Sequence, residues 1–375
     1  MSDNKNSLSS ANRLIVKVGS ALLTTDDAEG LNQDWLDALA DDVATYVSNG
    51  TQVIIVSSGA VAVGRQALSL SETALRLEEK QAAAAAGQIG LFHAWQRAFA
   101  RHDLQTAQIL LTPSDTEERR RHLNARNTME TLLGLGAVPV INENDTVATE
   151  EIRFGDNDRL AARVAQMIGA DTLALLSDID GLYSADPKKD SDAQFIEEVS
   201  EITAAVEAMA GEAGPGYSSG GMVTKIEAAK IATRAGCAVV IADGKELHSL
   251  SNIESGKKCT WFLATANPST ARKRWIAGAL TTSGALAIDD GARTALGSGK
   301  SLLPAGVTKV SGDFERGDAV IIEDASGNRL GCGLIAYSSN DAKLIAGHKT
   351  GEIEALLGYR GRDEMIHRDD LVIDG

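Results

Sequence analysis

The sequence predicts an α/β protein, a three-layer sandwich around a mostly parallel sheet, followed by a small β-rich domain. Three observations carry this. The chain has 375 residues, enough for about two domains. Short apolar strands alternate with helical stretches through roughly the first 265 residues. Near residue 266 the alternation stops, and β-like pieces separated by Gly, Asp and Asn turns take over. The expected division is 1–265 for the α/β domain, 266–283 for a linker and 284–375 for the β domain.

LIVKVGS, QVIIVSSGA, TAQILLT, AVPVINEN, TLALLSD and CAVVIADG are aliphatic runs ending in polar or Gly-rich loops, and each reads as a strand. Between them, LNQDWLDALADDVATYVSNG, EEKQAAAAAGQIGLFHAWQRAFARHD, HLNARNTMETLLGLG, NDRLAARVAQMIGA and MVTKIEAAKIATRAG read as helices, many of them stopping at Gly. AAAAA at 82–86 reads simply as a strong helix former. ERRRHLNAR reads as a solvated or intersubunit helix face rather than a nucleic-acid patch, and His93, His102 and His122 as surface or packing residues. Such alternation requires a sheet covered on both faces, which places a site at the carboxyl ends of its strands. Beyond ANPSTARKRWIAGALTTSG, with its Pro268 and basic cluster, the pieces ALAIDDGA, VTKVSG, DAVIIED, RLGCGLIAYSS and DLVIDG read as the strands of the second domain.

Composition narrows the function classes. The chain is 43% hydrophobic and 4% aromatic, which suits a tightly packed globular enzyme. Cys237, Cys259 and Cys332 form no CxxC pair, so neither a zinc site nor a disulfide framework is expected, and a reducing cytoplasm fits. MSDNKNSLSSANR lacks the apolar centre of a signal peptide, and no run of 18 apolar residues predicts a membrane span. A net charge of −16 disfavours non-specific nucleic-acid binding. A small-molecule enzyme is the leading class.

Five polar stretches follow strands or open helices. In VKVGSALL, Lys17 precedes Gly19 and Ser20; it suits nucleotide phosphates, or is a strand-edge lysine before an ordinary turn. In SSGAVAVG, Ser57, Ser58 and Gly59 suit an anion such as a carboxylate, or ordinary helix capping. GPGYSSGGMVTKIEAA feeds a Gly/Ser loop into a helix whose first turn holds Thr224 and Lys225, suited to covering phosphates, with a plain surface loop as the alternative. LLSDIDGLYSADP places Ser177 and Asp178 after a strand, where Asp178 can hold a lysine or a metal. INENDTVATEEIRFGDNDRLAA mixes Glu143, Asp145, Asp156 and Asp158 with Asn142, Asn144 and Asn157, a combination suited to an ammonium group or a metal–nucleotide.

Taken in order, VKVGS, VSSGAVAVGR, EKQAAAAAGQIGL, LLTPSD, RHLNARNTMETLL, VPVINENDTVATEEIRFGDNDRLAA, SDIDGLYSADP and SGGMVTKIEAA resemble the amino-acid kinase family. RKRWIAG, SLLPAGV, AGHKTGEIEALLGY and IHRDD resemble an appended PUA domain. The resemblance spans nearly the whole chain and implies the branch that phosphorylates the γ-carboxylate of L-glutamate, using ATP and Mg²⁺, as the first step of proline synthesis. It implies that Lys17 and Lys225 bind phosphate and stabilise the transition state, and that Asp158 organises them. Ser58, Asp145 and Asn157 match glutamate-binding positions. Lys17, Gly19, Ser177, Asp178 and Ser219, Gly220, Gly221, Met222, Val223, Thr224 and Lys225 match ATP contacts. No residue is assigned as a direct metal ligand, and Glu150, Glu151 and Arg153 read as solvated loop charges. One departure is Ser218-Ser219, where the family's phosphate loop commonly carries Gly-Thr; altered loop mobility is the expected consequence.

The resemblance further implies a homo-oligomer, a dimer or tetramer, with proline as feedback inhibitor. Association with glutamate-5-semialdehyde dehydrogenase, which consumes the labile product, fits the product's chemistry. Residues 284–375 carry ten Lys/Arg against fifteen Asp/Glu, the wrong sign for tracking RNA phosphates, so a structural or regulatory module is expected. Rival readings are an acetylglutamate or aspartate kinase, and an RNA-binding regulator with a decayed kinase fold.

Overall fold

The computed structural model describes residues 7–24, 30–70, 75–147, 157–211, 221–271, 273 and 282–374. The chain divides into two compact units, 1–117 with 124–268 and 118–123 with 269–375.

Among the described residues the first unit carries ten strands: β1 (Arg13–Val18), β2 (Gln52–Val56), β3 (Thr106–Leu111), β4 (Val138–Glu143), β5 (Thr172–Ser177), β6 (Leu182–Tyr183), β7 (Phe195–Ile196), β8 (Glu198–Val199), β9 (Ala238–Asp243) and β10 (Cys259–Phe262). Eight of them form one sheet in the order β3-β4-β2-β1-β5-β9-β10-β8, and β6 pairs with β7 in a separate hairpin. Every pairing in the large sheet is parallel except β9 with β10. Neither β10 nor the two-residue β8 was expected from the sequence. Both are short and lie outside the strand–helix rhythm.

Because side chains alternate across a strand, each central strand supplies two cores. Leu14, Val16 and Val18 of β1 join one core with Val53, Ile55, Ala174 and Leu176. That core is closed by helices Gln33–Ser48 and Leu77–Ala100 through Trp35, Leu39, Trp95 and Phe99. Ile15 points the other way and joins Ile54, Val56, Leu173 and Leu175 beneath helices Asn157–Ile168 and Met222–Arg234. Two covered faces explain why the central strands are almost wholly buried.

The Ala-rich stretch does more than favour a helix. A Cβ on Gly64 would fall 1.6 Å from the Ala83 carbonyl oxygen, and one on Gly87 1.9 Å from that of Ala60. The helix Ala60–Ala67 therefore crosses Leu77–Ala100 backbone against backbone, and small residues at 83 and 87 permit the approach. Arg126, in the basic helix expected to be solvated, is instead buried, with Nε 3.7 Å from Glu130 Oε1.

The second unit carries β11 (Gly284–Ile288), β12 (Val307–Gly312), β13 (Ala319–Glu323), β14 (Arg329–Leu334) and β15 (Leu371–Ile373), ordered β12-β11-β13-β14-β15. These are the five strands expected there. Leu286, Val320, Ile322, Ile335, Tyr337 and Ile366 are among the residues of its own core.

Candidate functional site

The two-faced sheet decides where the first lysine goes. Lys17 shares the parity of Ile15, so it points under helices Asn157–Ile168 and Met222–Arg234 rather than into the opposite core. There its Nζ lies 2.6 Å from Asp158 Oδ1, while Lys225 Nζ lies 3.2 Å from Asp158 Oδ2. Thr224 Oγ1 lies 2.9 Å from the same Oδ2 and 2.8 Å from the Gly221 carbonyl oxygen, so its one proton is shared between the two acceptors. Lys17, Asp158 and Lys225 are 4%, 2% and 1% exposed, so two ammonium groups share one carboxylate inside the protein. Lysine is almost never buried this deeply without a partner.

Helix geometry sharpens this. Asp158 and Lys225 both sit in first turns, where backbone N–H groups point outward and the helix end is positive. A lysine is unfavourable there, and an anion is favoured. Burial alone would raise the Asp158 carboxyl, but the ammonium of Lys17, then that of Lys225, and the hydrogen bonds from Lys17 and Thr224 bring it down to about 2. Burial pushes Lys225 below the ordinary lysine range; Asp158 opposes that shift and Lys17 adds to it.

A carboxamide cluster adjoins the lysines through the Asn157–Asp158 peptide. Asn157 Nδ2 donates to Ser58 Oγ at 3.0 Å and to Asn142 Oδ1 at 3.2 Å, and Asn142 Nδ2 donates to Gln88 Oε1 at 2.7 Å. Asn157 Oδ1 is buried without a hydrogen-bond partner among the described residues. Ser58 follows β2 on the parity of Ile54 and Val56, which turns it toward the helix of Asn157. Gly59 then takes φ +97° to open the next helix, a conformation that suits glycine. Ser57 faces the other way and accepts from Trp95 Nε1 at 3.0 Å. Asp145, two positions past β4, is 8% exposed, and burial raises its carboxyl to about 6.

The remaining expected positions lie at neighbouring strand ends. The Gly19 amide donates to the Leu176 carbonyl at 3.2 Å, which joins the turn after β1 to the end of β5. Ser177 is buried and donates to Asp178 Oδ1 at 3.1 Å, and Lys245 Nζ donates to the Asp178 carbonyl at 2.9 Å. Gly221 caps the helix whose first turn holds Met222, Val223, Thr224 and Lys225. Ser219 and Gly220 lie outside the described residues, as do Asp156, Glu150, Glu151 and Arg153. Among the described residues no group of three or more His, Cys, Asp or Glu is placed to hold a metal ion. No described helix is long and apolar enough to cross a membrane.

Sequence reasoning singled out neither Gln88 nor Lys245. Gln88 is an ordinary helix residue in an Ala-rich run, and Lys245 stands in a turn with no motif around it. Asn142 was noted only as part of an acidic stretch; its place as the last but one residue of β4 makes it a site residue.

The arrangement gathers two lysines on one aspartate, and beside them a carboxamide cluster, at the carboxyl ends of β1, β2, β4 and β5 and in the first turns of two helices. It is suited to holding anions that must be brought together. A sequence profile described as "Amino acid kinase family" matches residues 12–243, and one described as "PUA domain" matches 284–357. "Glutamate 5-kinase" of Paramagnetospirillum magneticum is 61% identical over 98% of this chain and 99% of its own. "Glutamate 5-kinase" of Agrobacterium fabrum is 57% identical over 100% of this chain and 96% of its own.

Proposed function

The chain belongs to the amino acid kinase family, among its glutamate 5-kinases, and on that premise we propose how the site works. The reaction is transfer of the γ-phosphoryl group of ATP to the γ-carboxylate of L-glutamate, giving γ-glutamyl phosphate and ADP, the first step of proline synthesis. The observation that carries the reading is the pair Lys17 and Lys225 on one Asp158 carboxylate.

A carboxylate is a nucleophile at neutral pH, so the reaction requires no general base. The obstacle is that one anion must approach another, and catalysis is chiefly positioning and charge neutralisation. A γ-carboxylate oxygen forms the new bond to phosphorus, the bond to the β,γ-bridging oxygen breaks, and that electron pair leaves on ADP. Lys17 and Lys225 hold the spread negative charge, and Asp158 fixes both ammonium groups where that charge develops. Asp145 and Asn157 take the α-ammonium and Ser58 the α-carboxylate of glutamate. Gly19, Ser177, Asp178 and the segment Ser219–Lys225 hold the nucleotide. The two ammonium groups and the helix N-terminus at Met222 fit a nucleotide's phosphates. Mg²⁺ bound with the nucleotide would supply further neutralisation, and no residue of this chain is assigned as its ligand.

We propose the domain limits 1–265 and 284–375 with 266–283 between them, a cytoplasmic homo-oligomer, feedback by proline and hand-over of product to glutamate-5-semialdehyde dehydrogenase. The PUA domain serves structure or regulation, since its net charge is opposite to that of an RNA-binding surface. The test is glutamate-dependent ADP release with hydroxylamine trapping of the acyl phosphate. A glutamyl hydroxamate is expected; its absence, or equal turnover of N-acetylglutamate or aspartate, overturns the assignment.

A further inference from the structure

We infer that Gln88 is a positioning residue for the amino-acid substrate: it anchors Asn142, whose Oδ1 holds the Asn157 carboxamide with its own oxygen free for the substrate. This rests on the reading of Asn157 as a glutamate-binding residue and extends it to a side chain outside the motifs.

The direction of every amide in the chain follows from one donor that cannot be reversed. The backbone N–H of Glu143 donates to Asn142 at 2.9 Å, so the Asn142 atom there is Oδ1. The other Asn142 atom is therefore Nδ2, and its neighbour at 2.7 Å on Gln88 must be the acceptor Oε1. Asn142 Oδ1 also lies 3.2 Å from the Asn157 carboxamide, which must present Nδ2 to it. The same Nδ2 reaches Ser58 Oγ at 3.0 Å. Asn157 is left with Oδ1 as a buried acceptor unpaired among the described residues. A buried carbonyl oxygen without a donor is unfavourable in the free protein, and a substrate ammonium supplies that donor.

Gln88 can do this because of its neighbour. Gly87 brings the helix Leu77–Ala100 against the backbone of Ala60 and Gly64, just past Ser58, so Gln88 enters beside the clamp from a third element. Without its acceptor, the buried Asn142 Nδ2 loses its partner. The Glu143 N–H still fixes which Asn142 atom is Oδ1, so what is lost is the placement of that side chain, and with it the acceptor that keeps Asn157 Nδ2 turned away from the ammonium.

The test compares Gln88→Met, close in shape and lacking the acceptor, with Gln88→Glu, which keeps an acceptor, in the full-length protein. Hydroxamate formation is followed while glutamate and ATP are varied separately. Gln88→Met is expected to raise the KM for glutamate about tenfold, the scale of an unpaired buried polar group, with kcat and the KM for ATP within about twofold. Gln88→Glu is expected to stay within about threefold of the parent in all three. A Gln88→Met KM unchanged for glutamate, or a Gln88→Glu variant as impaired as Gln88→Met, overturns the inference, the latter because the helix crossing rather than the acceptor would then matter. A parent protein that forms no hydroxamate from glutamate sinks the functional reading instead, a separate result seen before any variant is compared.

Discussion

Lys17 Nζ stands 2.6 Å from Asp158 Oδ1, a strand lysine and a first-turn helix aspartate joined inside the protein. Lys225 takes the other oxygen, so one carboxylate bridges the two cations. Removing either ammonium while keeping the shape, by Lys17→Met or Lys225→Met, is expected to lower kcat by about 10²–10³, the effect of losing one preorganised group at developing charge. The KM for glutamate should change far less. Steady-state kinetics with glutamate varied checks this, and a loss confined to KM would assign the lysines to ground-state binding.

Asp158 itself links the site to stability. Its folded carboxyl sits near 2 against 3.8 for the ordinary side chain, so the folded state favours the ionised form. The stability it contributes is present above about pH 4 and is lost as pH falls from there toward 2. Asp158→Asn leaves two buried ammonium groups without their anion, expected to cost about 3–5 kcal/mol at pH 7. Urea unfolding between pH 2 and 7 should show the parent and the variant converging at the acid end. A constant difference across that range would mean the carboxylate is not what is lost.

Asp145 has the opposite sign. Burial raises its carboxyl from 3.8 to about 6, so its contribution to stability is full below about pH 4 and is lost as pH rises through 6. At pH 7–8 the free protein holds an ionised carboxylate in a buried position that favours the neutral acid. Asp145→Asn is therefore expected to stabilise the ligand-free protein by about 1–2 kcal/mol at that pH, by linkage. The same change should raise the KM for glutamate by more than it lowers kcat, because the ammonium loses its counter-charge. In the parent, the KM for glutamate should climb as pH drops below about 6, when the carboxylate must release a proton to bind. A flat KM from pH 5 to 8 would remove Asp145 from the clamp.

The sheet was legible in the sequence because its central strands are aliphatic runs that end at Gly, Ser or Asp, and a strand buried on both faces has that signature. β10, four residues of mixed type, and β8, two residues long, have no such signature and take strand form from the pairing partner they meet. The site residues were legible as motifs through family resemblance. The resemblance also implied that Asp158 organises Lys17 and Lys225, although nothing local to residues more than half the chain apart says that they meet. Parity on β1 explains the meeting once the sheet order is known. Gln88 was not legible, because glutamine on a helix has no pattern of its own and its partner Asn142 lies on a different element.

The helix crossing beside the clamp can be tested by two glycines three positions apart. A Cβ at Gly87 would meet the Ala60 carbonyl oxygen at 1.9 Å and the Gly64 nitrogen at 2.3 Å, both backbone atoms that cannot rotate away. Gly87→Ala must push the two helices apart, at about 1–3 kcal/mol or more, as overpacking does. It must also shift Ala60, two residues after Ser58, so the KM for glutamate should rise with the loss of stability. Gly90 lies on the same helix, where a Cβ would meet only Val63 Cγ1 at 3.5 Å, an ordinary contact. Gly90→Ala should instead stabilise by about 0.5–1 kcal/mol through helix propensity, with kinetics unchanged. Thermal unfolding and glutamate kinetics on the pair check both halves. Equal destabilisation by the two substitutions would show that this helix simply tolerates no added methyl, and that the approach at Gly87 has no special place in the clamp.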